Sequence, residues 1–167
     1  MGNRELKEIA SPRLKTSTLS RWRKKEMTPP ELLLHAIERG VLDDPQAIDQ
    51  THATDNQAHA WPLDEEGAQP AFYAAQYGRI RMLRRLIQLG CDVNHCDQYG
   101  RSALMVASGM GHLDVVRLLL DHNALIEQQT TGGWRALSIA AGQGHIDICR
   151  LLRTRQITQL ITRRIIK

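Results

Sequence analysis

DQYGRSALMVASGMGHLDVVRLLLDHNALIEQQ, residues 97 to 129, is the clearest copy of a unit that recurs on both sides of it. Gly100 has counterparts at Gly67 and Gly133, and Gly111 at Gly78 and Gly144, so both series step by 33 residues. Apolar pairs hold the same register: Leu86 with Ile87, Leu119 with Leu120, then Leu151 with Leu152 shifted by one. A fixed period of this length marks a repeat array, in which each unit hides its apolar face only by stacking on its neighbours.

Within each unit a tight turn at the first glycine leads into a short helix carrying small residues: Ala74 and Ala75, Ala107 and Ser108, Ala140 and Ala141. The second glycine breaks the chain before a longer helix. Small side chains let neighbouring helices approach, and glycine supplies the backbone angles the breaks need. The pattern gives full units at residues 64–96 and 97–129 and a truncated one at 130–155. Upstream, residues 28–63 read as an atypical N-terminal capping unit: a helix through Leu32, Leu33, Ala36 and Ile37, then Gly40, then Asp44-Pro45 opening a second helix. Gly40 lies 38 residues before Gly78, so five residues are inserted there, within the polar stretch THATDNQAHA.

GHLDVVRLLL (111–120) and GHIDICRLL (144–152) resemble the second-helix signature of the ankyrin repeat, and the resemblance extends over about Thr28 to Arg155. It implies an all-α solenoid of stacked antiparallel helix pairs with β-turn fingers. It also assigns His112 and His145 a structural role at the head of the second helix. The chain departs from the family at the Thr-Pro-Leu-His position, which here reads QPAF, SALM and RALS in the three units. The Thr and His hydrogen bonds usual there are expected to be mostly absent.

The charge is uneven. Residues 1–30 hold eight Lys/Arg and three Glu, residues 150–167 hold six Lys/Arg and no acid, and the middle is left at −7 out of a total of +4. Basic ends on an acidic body fit an arm that faces nucleic acid or a membrane, or tails that are simply solvated. In the basic N-terminal segment, residues 1–27, TSTLSRWRKK resembles part of a phage-repressor-type helix-turn-helix. That likeness would set Arg21, Arg23, Lys24 and Lys25 against phosphates; the alternative is a basic segment that only caps the array. At the other end, residues 156–167 place Ile157, Leu160, Ile161 and Ile165 at helical spacing among Arg163, Arg164 and Lys167. This reads as a cap over the end of the stack or as a basic amphipathic tail for a partner.

No motif points to an enzyme. Aromatic residues make up 4% of the chain, so the core must rest on Leu, Ile, Val and Ala. No GxSxG, GxxxxGKS or HExxH motif occurs, no catalytic residue is assigned, and no cofactor is implied. Cys91, His95 and Cys96 are the tightest soft-ligand cluster, yet they lack the paired spacing of a zinc site. The odd set of three cysteines suits a reducing, intracellular and most simply cytoplasmic address.

What remains is a surface for another protein. In the ankyrin family partners sit in the concave groove formed by the finger tips and the exposed side of the first helices. Carried over by position, that groove would use Glu65, Glu66, Ala68, Gln76 and Tyr77 in the first full unit. The next would supply Gln98, Tyr99, Arg101, Gly109 and Met110, and the last Thr131, Gly132, Trp134, Gly142 and Gln143. A stripe of Tyr77, Tyr99, Met110 and Trp134 has the large, rigid side chains that carry binding energy at interfaces.

Overall fold

The computed structural model of the chain describes Ile37, Leu63 and residues 66–165. The N-terminal segment with Arg21, Arg23, Lys24 and Lys25, nearly all of the capping unit, and Glu65 lie outside the described residues. Six helices follow in order: α1 (Pro70–Gln76), α2 (Ile80–Gln88), α3 (Ala103–Met110), α4 (Leu113–Asp121), α5 (Ala136–Gly142) and α6 (Ile146–Ile165). They pair as α1/α2, α3/α4 and α5/α6, and the pairs stack so that α1, α3 and α5 make one row and α2, α4 and α6 the other. Extended structure among the described residues is limited to an isolated antiparallel bridge between Cys96 and Ser102, at the base of a finger.

The period seen in sequence is the period of burial. Ala74, Ala107 and Ala140, one unit apart, are each 0% exposed, and so are Leu86, Leu119 and Leu152. The alanines let the short helices touch. The leucines fill the seam between the two rows, each contributing roughly 1.5–3 kcal/mol by leaving water. Ile37, which is helical, joins the same core cluster from the N-terminal side.

The short helices start differently in each unit. Pro70 opens α1 from its first position without a side-chain cap. Ser102 accepts from the Met105 N–H at 3.4 Å, while Ser138 accepts from the Arg135 N–H and donates to its carbonyl, both at 2.9 Å. Serine hydroxyls thus recover, in two units, part of the hydrogen bonding that the departures from Thr-Pro-Leu-His remove.

α6 departs from its siblings. After α2 and α4 the chain turns through left-handed residues, Gly90 (φ 87°) and Asn123 (φ 63°), residue types that tolerate such angles. One unit on stands Gln156, and the helix runs straight through it to Ile165. The boundary expected at Arg155 therefore falls inside a helix. Arg155 bonds Asp121 at 2.5 Å and Gln156 bonds Glu127 at 2.5 Å, tying the extension to the α4 end of the previous unit. It does not form the expected cover over the stack, since Ile157, Leu160, Ile161 and Ile165 are 52–76% exposed.

Candidate functional site

The fingers are organised from their first residue. Asp97 is buried, and its Oδ1 accepts the N–H groups of Tyr99 at 2.9 Å and Arg101 at 2.8 Å. Its Oδ2 takes the Arg101 Nε at 2.5 Å. One carboxylate thereby closes the whole turn, an Asx-type device extended by an ion pair. Arg101 also reaches back to Glu66 at 2.6 Å and stacks over the rings of Phe72 (5.2 Å) and Tyr99 (5.1 Å). Burial disfavours its charge, but hydrogen bonds and charge from Asp97 and Glu66 outweigh that, so the guanidinium pKa is raised.

The next finger solves the same problem with different chemistry. Thr130 stands where Asp97 did, its Oγ1 accepting from the Trp134 N–H at 3.1 Å and its own N–H donating to the Trp134 carbonyl at 2.9 Å. Trp134, in the register of Arg101, lays its indole beside Gly132, where a Cβ would come within 3.3 Å of the ring. Successive fingers are joined by one backbone bond per step: Gln98 N–H to the Glu66 carbonyl at 2.8 Å, then Thr131 N–H to the Tyr99 carbonyl at 2.9 Å. The step is close enough that a Cβ on Gly100 would meet Gln129 and Thr130 backbone atoms at 3.1 Å. Glycine is required at that approach.

Behind the fingers a histidine ladder locks the rows. His112 donates from Nε2 to the Gln76 carbonyl at 2.9 Å, and His145 donates to the Gly109 carbonyl at 3.0 Å. A carbonyl can only accept, so Nε2 carries the proton in both. Each ring lies over the second glycine of the unit before it, Gly78 and Gly111. Arg79 takes this place in the first unit, and its Nε is buried without a hydrogen-bond partner among the described residues. A further cross-unit clamp is Asn94, whose Oδ1 accepts from the Leu125 N–H at 2.8 Å and whose Nδ2 donates to the Asn123 carbonyl at 3.4 Å.

The family model described as ankyrin repeats (3 copies) matches residues 31–130 and 71–161. The chain belongs to the ankyrin-repeat family. No curated protein matches the sequence. Ankyrin repeats are in general protein-interaction modules, and the question becomes which part of this ankyrin surface is free to act as one.

The expected groove residues divide into two sets. Tyr77, Gln98, Tyr99, Met110, Thr131, Gly132, Trp134, Gly142 and Gln143 are exposed. Tyr99, Met110 and Trp134 stand out at 46%, 55% and 58% exposure, although a core is where such side chains usually go. The second set serves the array itself. Ala68 is 1% exposed and belongs to the core, because the finger folds over it. Gln76 and Gly109 supply the ladder carbonyls, and a Cβ on Gly109 would lie 3.0 Å from Ile139. Glu66 and Arg101 are committed to the ion pair between fingers. Position within the family names a stretch of chain, whereas each residue's own partners decide whether it faces outward.

The candidate ligand cluster comes apart. His95 contacts the Gly67 carbonyl at 2.7 Å through Nε2, and Cys91 is buried with its Sγ donating to Gln69 Oε1 at 3.2 Å. Among the described residues no three His, Cys, Asp or Glu side chains are grouped to hold a metal ion. Nor is any described helix long and apolar enough to cross a membrane. Sequence reasoning overlooked Asp97 as the residue that builds its finger. Its signal was available: an aspartate three residues ahead of Gly100 is a turn pattern with a mechanism.

Proposed function

We propose that this chain is a non-enzymatic protein-binding module that docks a partner protein across its finger tips and the exposed side of α3 and α5, blocking or recruiting that partner. The observation that carries this reading is the row of half-exposed Tyr99, Met110 and Trp134 on consecutive units. Tyr99 is held against Arg101 and Trp134 against Gly132, so each offers a large face that is already fixed in place. Fixed aromatic faces lose little entropy on binding, which makes them good anchors. An intracellular address fits the three free cysteines.

A photo-crosslinking amino acid placed at Trp134 should capture a defined protein in cells, whereas the same residue at the exposed outer position Arg117 should not. With that protein in hand, Trp134→Ala or Tyr99→Ala should weaken binding by about 2 kcal/mol, roughly thirtyfold in Kd. Crosslinks from Arg117 with none from Trp134, or unchanged affinity in both variants, would remove the finger tips from the interface.

A further inference from the structure

Beyond the finger tips, the extension of α6 presents a second surface with the opposite arrangement from the one a surface helix normally adopts. At about 100° per residue, Ile146, Ile157, Leu160 and Ile161 fall within an arc of about 100°, and they are 52–64% exposed. Ile165, beside that arc, is 76% exposed. Gln156, Thr158, Gln159 and Thr162, together with Leu160, line an open groove of about 1080 Å³ against the loop at Leu125. Past Arg155 the helix thus turns Gln156 and Gln159 towards its own molecule and leaves Ile157 and Ile161 outward, whereas Ile148, nearer its start, is buried. Anchors at i, i+3 and i+4 are the pattern of a helix that seats in a partner's surface.

Charge decides which partner. Residues 150–167 carry six cations and no acid, and Arg150, Arg153 and Arg164 are exposed. Two such helices repel, so α6 against α6 is disfavoured. The complement lies in the same sequence: residues 31–65 hold eight carboxylates and one arginine, a net of −7. We infer that copies of this chain associate head to tail, the outward basic and apolar face of α6 in one copy docking on the acidic segment 31–65 of the next. A heterologous contact of this kind can extend into an open chain of copies.

Trans-complementation of two broken full-length chains tests this directly. Ile157→Asp with Ile161→Asp spoils the helix face; Asp43→Lys with Asp55→Lys weakens the acidic segment. Both pairs should leave the circular-dichroism melt unchanged. In sedimentation velocity at low salt, the wild type should show association that grows with concentration and fades with added salt. Each broken chain alone should stay monomeric, and their mixture should form a 1:1 dimer that grows no further. Trp134→Ala should associate as the wild type does, which separates this surface from the finger tips. A monomeric wild type across the micromolar range overturns the proposal, and so does self-association of the Asp43→Lys/Asp55→Lys chain alone, which would mean α6 pairing with α6. Pelleting of a monomeric wild type with phosphatidylglycerol vesicles would instead assign the face to lipid.

Discussion

The second and third described units share almost the same second-helix sequence, GHLDVVRLLL and GHIDICRLL, and live in different surroundings. Ser108 is 0% exposed, while Ala141 in the same register is exposed. Gly111 lies under the His145 ring, whereas nothing among the described residues approaches Gly144 within 4 Å. The second unit has neighbours on both sides and the third, among the described residues, on one. Burial in a solenoid therefore belongs to the interface between units rather than to the unit. The third unit is only partly adapted to this. Arg153 stands where Leu120 is 7% exposed, a change that suits water, but Ile146 in the register of Leu113 remains 64% exposed.

The sharpest way to break this comparison is the glycine pair. Gly111 and Gly144 have nearly equal backbones, φ 80° and 78°, so alanine at either site carries the left-handed penalty of roughly 1–2 kcal/mol. At Gly111 the new Cβ would also sit 2.6 Å from His145, displacing the ring and its bond to the Gly109 carbonyl. Gly111→Ala should therefore lose about 3 kcal/mol in urea denaturation and Gly144→Ala about 1. Equal losses would mean the histidine contact contributes nothing.

A size change at the small-residue positions should separate the units next. Ser108→Leu forces a larger side chain into a closed helix contact and should cost about 1–3 kcal/mol. Ala141→Leu, on an open face, should stay within about 0.5 kcal/mol. Comparable drops in melting temperature would show that the third unit is covered after all.

Much of this architecture was legible in the chain because the signals are periodic. The glycine series, the alanine pairs and the leucine seam all repeat at one spacing, and each repetition strengthens the others. The resemblance to the ankyrin second-helix signature is what marked His112 and His145 as structural. What escaped was local and aperiodic. Arg101 occurs in one unit only, and its ties to Glu66 and Asp97 depend on side-chain reach that spacing does not encode. Ala68 and Gly109 share register positions with the groove but not exposure, since a small residue at a groove position can as easily pack as present itself. The run-on of α6 could have been found by asking what replaces Gly90 and Asn123 one unit on. Glutamine has no special tolerance for a left-handed turn, and a helix with no stop signal continues.

That same register supplies the finest test, because Cys91, Ala124 and Ile157 stand one unit apart. The first two are 4% and 2% exposed, and Ile157 is 55% exposed. With Cys96 and Cys149 replaced by alanine, native Cys91 should resist maleimide while Cys91→Ala/Ile157→Cys labels readily. Burial pushes the Cys91 thiol up to about 12, outweighing a backbone hydrogen bond at Ala71 that pulls the other way. In the unfolded chain the thiol ionises near its ordinary value of 9.0. Above that pH the unfolded state gives up a proton that the folded state retains, so the contribution of Cys91 to stability is intact below pH 9 and is lost as pH rises towards 12. At pH 10 the loss should be about 1 kcal/mol relative to Cys91→Ala, each on the scale of its own stability at pH 8. If the two chains lose stability in parallel over that range, Cys91 is not sealed between the first and second units, and the contrast with Ile157 does not arise from stacking.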